Sequence, residues 1–152
     1  MDIYEYLHKD HEKVAALMER VIATESASQR EYLFREIKHE LTLHADTEEK
    51  TFYKAIEDAT RSGSVEEKME HAHHEHDEIR NFLEKLSDMP VREESWIEKF
   101  GELKHSVTHH VEEEEDDIFK KAKKYLSEKQ AQDLAKEMDT LKKEQKAQSK
   151  AA

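Results

Sequence analysis

At 152 residues, with 41% charged side chains, a net charge of −12 at neutral pH, two glycines, one proline and no cysteine, the chain has the size of one domain and few marks of strands or hairpins. No apolar run approaches the roughly 18 residues needed to span a bilayer, no thiolate is present to ligate a metal, and the negative surface argues against duplex nucleic acid, whose phosphates require clustered Lys and Arg. The hydrophobic fraction of 36% is low enough to border on disorder, so periodicity has to decide.

The opening segment, MDIYEYLHKD, is acidic and amphipathic, so neither a signal peptide nor a membrane span is expected and a cytoplasmic protein is. Helices are predicted near 2–23, 28–60, 64–87, 94–124 and 127–146. Each starts at a cap residue followed three positions later by Glu or Gln: Asp2 with Glu5, Ser28 with Glu31, Ser64 with Glu67, Ser95 with Glu98 and Ser127 with Gln130. Thr24 to Ser28, Gly63 and Pro90 mark the stops. The expected architecture is all-α, with an antiparallel up-down four-helix bundle over 1–124. Residues 125–152 add a short helix docked on the bundle through Ala131, Leu134, Met138 and Leu141, then a frayed tail.

The chain repeats itself. DHEKVAALMERV at 10–21 aligns with EHDEIRNFLEKL at 75–86, and FREIKHELTLHADTEEKTFYKA at 34–55 aligns with FGELKHSVTHHVEEEEDDIFKK at 100–121. His76 follows His11 by 65 positions, while His110 and Glu114 follow His44 and Glu48 by 66. A pseudo-two-fold axis relating the first two helices to the next two is therefore predicted.

Polar residues interrupt the apolar stripes at matching places. The first helix reads Ile3, Leu7, His11, Val14, Met18, Val21; the second Leu33, Ile37, Leu41, His44, Glu48, Phe52, Ala55. The third reads Met69, Ala72, His76, Ile79, Leu83, Leu86, and the fourth Phe100, Leu103, Val107, His110, Glu114, Ile118. Four His and two Glu converging in a core would be costly without a counter-charge. A pair of divalent cations satisfies all six, since carboxylates bridge metals and each imidazole supplies one nitrogen. The alternative is a hydrogen-bonded polar core that holds no metal. Donor type leaves iron, zinc, manganese and cobalt open.

His11 after Asp10, then His44-Ala-Asp-Thr-Glu48-Glu49, Glu75-His76 and His110-Val-Glu-Glu-Glu114-Glu115, resembles the hemerythrin-like HHE cation-binding family over roughly residues 2–123. The resemblance implies a non-haem, oxo- or hydroxo-bridged di-iron centre, with Glu48 and Glu114 as bridges and His11, His44, His76 and His110 as terminal ligands. Two departures matter. Oxygen-carrying hemerythrins have a second His where this chain has Ala72, and they close with HxxxxD where it has HxxxE. Loss of that donor implies a more open, symmetric site than a dedicated oxygen carrier has; His73 is the candidate replacement.

The other histidines, His8, His39, His71, His74, His105 and His109, fall off the stripes and are expected on the surface or around the ligands. The acidic run Glu112 to Asp117 is expected to be solvated except at Glu114. Tyr4, Tyr6, Tyr53 and Tyr125 could offer hydroxyls near the site, and the sequence selects none. The expected function is binding of oxygen or nitric oxide at the metal pair, for sensing, scavenging or storage, by a monomer or weak homo-oligomer. The alternative is a redox enzyme of oxidative or nitrosative stress that reduces peroxide, oxidises iron or repairs iron centres.

Overall fold

The computed structural model describes residues 1–151, and every element in it is helical. Helix α1 is Ile3–Ala23. Helix α2 (Ala27–Glu48) passes through a π-helical turn, Glu49–Tyr53, into α3 (Lys54–Ala59), and α4 is Gly63–Ser87. Helix α5 (Glu94–Glu113) passes through a second π-helical turn, Glu114–Ile118, into α6 (Phe119–Tyr125); α7 is Glu128–Ala151. Short connections fold the first four rods into the antiparallel up-down bundle. Among the described residues no helix is long and apolar enough to cross a membrane.

Two predicted caps form as expected. Asp2 accepts from the Glu5 amide at 3.0 Å. Ser127 and Gln130 make the full reciprocal box, with Ser127 N donating to Gln130 Oε1 at 2.8 Å and Gln130 N to Ser127 Oγ at 3.1 Å. The other three starts differ. α2 is capped by Ser26, which accepts from the Gln29 amide at 3.3 Å, and α4 starts after Ser62. Starting at the earlier serine of each Ser-x-Ser pair adds an intrahelical bond, Arg30 N to Ser26 O at 3.0 Å and Glu66 N to Ser62 O at 2.9 Å, so Ser28 and Ser64 lie inside the first turns. α5 follows Glu93 rather than Ser95, because the Pro90 turn already bonds the Glu93 amide at 3.2 Å.

The apolar stripes divide into two clusters. One gathers Ile3, Leu7, Phe52, Met69 and Ile118 with Ala131, Leu134 and Met138 of α7. The other gathers Val14, Met18, Ile37, Leu83, Phe100 and Leu103 around Trp96, whose indole donates to Leu86 O at 3.1 Å. The buried His and Glu side chains lie on the same stripes, between the two.

Two stripe positions differ in register from the prediction, and the C-terminal tail differs in conformation. Ala55 is only half-buried and Ile56 is buried instead, because the π-helical turn inserts one residue into the helical period. On α7, Leu141 is half-buried and Lys142 is buried. The predicted frayed tail is helical to Ala151, as a run of Lys, Gln, Glu and Ala with no breaker favours.

Candidate metal centre

All six residues singled out on the stripes meet in the bundle. His11, His44, Glu48 and Glu114 form one quartet of facing donor atoms, and Glu48, His76, His110 and Glu114 form a second. The two carboxylates belong to both. Glu48 Oε1 lies 3.5 Å from His44 Nε2 and 3.2 Å from His76 Nε2. Glu114 reaches His11 Nε2 with Oε1 at 3.3 Å and His110 Nε2 with Oε2 at 3.4 Å. Both carboxylates are fully buried. Their position follows from the i,i+4 spacing, which stacks His44 over Glu48 and His110 over Glu114 on the inward faces of α2 and α5.

Each imidazole turns Nε2 inward because Nδ1 is held from outside. His11 Nδ1 donates to Glu115 at 2.7 Å, His44 to Asp10 at 2.8 Å, His76 to Glu49 at 2.6 Å and His110 to Glu75 at 2.8 Å. Every bond crosses between rods: α1 supplies the carboxylate for α2 and α4 supplies it for α5, while the two π-helical turns return one to α4 and one to α1. Carboxylates at Nδ1 fix the tautomer and ring plane and make Nε2 a better donor to a metal. In the metal-free protein the same contacts hold protons. Burial disfavours the imidazolium, yet Glu48 and Asp10 push His44 up to about 10, and against the same burial Glu114 and Glu75 push His110 up to about 10. Burial works against the charge of Glu114 as well, but His11 and His110 hold it well below the usual carboxylate range.

Tyr53 completes the second quartet. Its hydroxyl donates to Glu114 Oε2 at 2.6 Å, lies 3.3 Å from Nε2 of both His76 and His110, and its ring stacks on His76 at 5.1 Å. Burial and the nearby Glu114 and Glu48 raise this phenol well above its ordinary range. The π-helical turn after Glu48 is what aims it: a widened turn brings the fifth residue beneath the first, where an α-helix brings the fourth. Its repeat mate is Phe119, so the other quartet has no matching hydroxyl. Beside the rings is a cavity of about 30 Å³ walled by Val14, Leu41, Ile79 and Val107. That volume admits a water or a diatomic molecule and little more.

The hemerythrin HHE cation-binding domain family model matches residues 2–122. The chain belongs to this family. A solved relative, a hemerythrin HHE cation-binding domain-containing protein from Mycobacterium kansasii, superposes with a TM-score of 0.79 at 24% identity, covering 95% of this chain and 86% of that one. A curated relative, a DNA nickase of Nostoc sp. (strain PCC 7120 / SAG 25.82 / UTEX 2576), is 25% identical over 142 residues, 93% of this chain. The chain spans only 39% of that relative's length.

The donors of this HHE domain suit a cation. His11 Nε2, both oxygens of Glu48 and Glu114 Oε1 are buried without a hydrogen-bond partner. Such orphaned atoms each cost about 1–3 kcal/mol, and more when charged. Their separations of 3.2–3.5 Å let neighbouring donors share one ion at about 2.0–2.2 Å. HHE domains bind cations, and the arrangement can hold one.

His73 joins neither quartet. It is one residue off the Met69, Ala72, His76 stripe, so its Nε2 faces Glu57 at 3.2 Å and only its ring edge meets Tyr53. His8, His39, His71, His74, His105 and His109 are exposed. Tyr53 stood among four tyrosines between which the sequence did not choose, and the periodicity of the HHE domain did not reveal Lys142 or the pairing of Asp10, Glu49, Glu75 and Glu115 with the rings. The repeat held a signal for the pairing, since Asp10 and Glu75 are mates, as are Glu49 and Glu115.

Proposed function

We propose that this HHE domain binds two iron ions, which His11, His44, His76, His110, Glu48 and Glu114 would hold between them, and that the pair binds oxygen or nitric oxide. The observation that carries this reading is that both buried carboxylates are shared by two His pairs, so that the six donors divide naturally between two ions. Zinc or manganese would find the same donors acceptable. Iron, when bound, supplies open coordination positions and a reversible redox couple.

The chain's own residues do the rest. Asp10, Glu49, Glu75 and Glu115 hold the rings with Nε2 inward. The small cavity beside the rings, with its mostly aliphatic wall, favours a ligand of diatomic or peroxide size. Tyr53 holds a proton on Glu114's outer oxygen within 2.6 Å.

That phenol favours one second reading, a redox enzyme acting on peroxide, because its hydroxyl places a hydrogen-bond donor among the donor atoms of the second quartet. Metal analysis with absorption spectra under air and under reductant tests both. Two irons per chain and a reversible spectral change when oxygen or nitric oxide meets the reduced protein are expected. Multiple turnovers of peroxide, abolished in Glu48→Ala, select the enzyme; a metal-free protein as purified, or a spectrally silent reduced form, rejects the first reading.

A further inference from the structure

A second group of potential ligands lies outside the buried centre, in the groove between α4 and α5. His71 Nε2, Glu75 Oε2 and Glu113 Oε2 face one another there, and His109 Nε2 approaches the same two oxygens. The separations are 3.3 Å from His71 to Glu75, 3.6 Å from His71 to Glu113, 3.6 Å from His109 to Glu75 and 3.5 Å from His109 to Glu113. The donor atoms of His71, Glu75 and Glu113 all face one another closely enough for one ion, whereas His109 stands at the edge of the group, near the two carboxylates only. His71 with Glu75 and His109 with Glu113 are both HxxxE pairs, so each helix presents its imidazole and carboxylate one turn apart.

Two further observations show that a positive charge belongs in this cluster. Glu113 Oε2 is buried with no hydrogen-bond partner, although Lys68 Nζ holds the other oxygen of the same carboxylate at 2.5 Å and bonds Asp117 at 2.9 Å. The ammonium has therefore neutralised one side of Glu113 and left the other aimed between the imidazoles. The sequence repeat supplies the second observation. Glu75 is the repeat mate of Asp10, and both hold a ring of the buried centre through Nδ1. Asp10 also receives an ammonium, Lys142 Nζ, from α7, which packs along α1 and α2. No helix covers the matching α4/α5 groove among the described residues, and Glu75 there turns its free oxygen to His71, His109 and Glu113 instead.

We propose that His71, Glu75 and Glu113, with the exposed His109 at the edge of the group, form a peripheral site for a divalent transition-metal cation of the zinc class, separate from the buried pair. Its imidazoles are open to solvent, with side-chain exposures of 51% for His71 and 62% for His109, while Glu75 and Glu113 are 10% and 20% exposed. An ion can thus reach the imidazoles directly and find carboxylates already fixed behind them. Neutral imidazole and carboxylate donors suit Zn²⁺ or Co²⁺ and lack the oxygen-rich coordination that Mg²⁺ or Ca²⁺ demands.

The full chain is loaded with Zn²⁺ or Co²⁺, desalted and analysed for metal per chain, beside the double variant His71→Ala/His109→Ala. The variant is expected to hold one equivalent fewer, and its Co²⁺ visible absorption to fall below that of the wild type by the contribution of that one site. His74→Ala, whose imidazole pairs with Glu78 at 2.9 Å away from the cluster, is expected to match the wild type. Both substitutions remove exposed side chains, and a far-ultraviolet spectrum verifies that the bundle is intact. Equal metal content and equal Co²⁺ spectra in wild type and double variant overturn the proposal. Failure of the buried centre to load lowers all proteins alike and leaves the one-equivalent difference readable.

Discussion

Tyr53 shows how one side chain separates two quartets that the repeat makes alike. Its hydroxyl is the donor to Glu114 Oε2, whereas Glu114 Oε1 and both oxygens of Glu48 have no hydrogen-bond donor. In the metal-free protein Tyr53→Phe would leave a buried carboxylate oxygen without its donor. A loss of about 1–3 kcal/mol in unfolding free energy is expected there. A bound cation takes over the neutralising of Glu114, so the metal-loaded variant is expected to lose far less. Urea unfolding of both proteins, with and without metal, checks this; equal losses in the two forms would show that the phenol does not act through Glu114.

At the scale of elements, the helices were legible in the sequence because caps, breakers and apolar stripes all pointed to the same boundaries within a few residues. The π-helical turns were not. One inserted residue shifts a stripe by a single position, from Ala55 to Ile56, which a period of 3.6 absorbs without notice. Lys142 was illegible for a different reason: in a run of Lys, Glu and Gln it looks like solvated surface, and only its long apolar stem lets its ammonium reach Asp10 beneath α7. Burial opposes the Asp10 charge, but His44 and Lys142 together hold the carboxyl down at about 2 from an ordinary 3.8. A depressed carboxyl stabilises the fold above its unfolded value and ceases to do so as pH falls through its folded value. Lys142→Met is therefore expected to cost about 1–3 kcal/mol near neutrality, with the deficit shrinking between pH 3.8 and about 2. Thermal melts across that acid range are the measurement, and a deficit that stays constant down to pH 2 would mean that Lys142 contributes packing alone.

At the scale of the molecule, the duplicated half is what made the six central residues readable, since each polar interruption of a stripe had a partner 65 or 66 positions away. The crossing bonds from Asp10, Glu49, Glu75 and Glu115 required knowledge of which rods are neighbours, and linear spacing does not carry it. Those bonds give metal-free and metal-loaded protein opposite responses to pH. In the metal-free form His44 and His110 are raised from 6.5 to about 10. Groups raised in this way stabilise the fold fully below the unfolded value and lose that contribution as pH climbs through the folded one. Metal-free protein should therefore weaken from about pH 6.5 to 10. Metal has to displace those same protons, so its affinity, and with it the stabilisation from binding, rises over the same interval. The gap in Tm between loaded and chelator-treated protein is expected to widen steadily from pH 6.5 towards 9 and to close in acid as the imidazoles protonate and release the metal. Paired melts at pH 5, 7 and 9 measure it. A gap independent of pH would require the metal to sit on donors other than these four imidazoles.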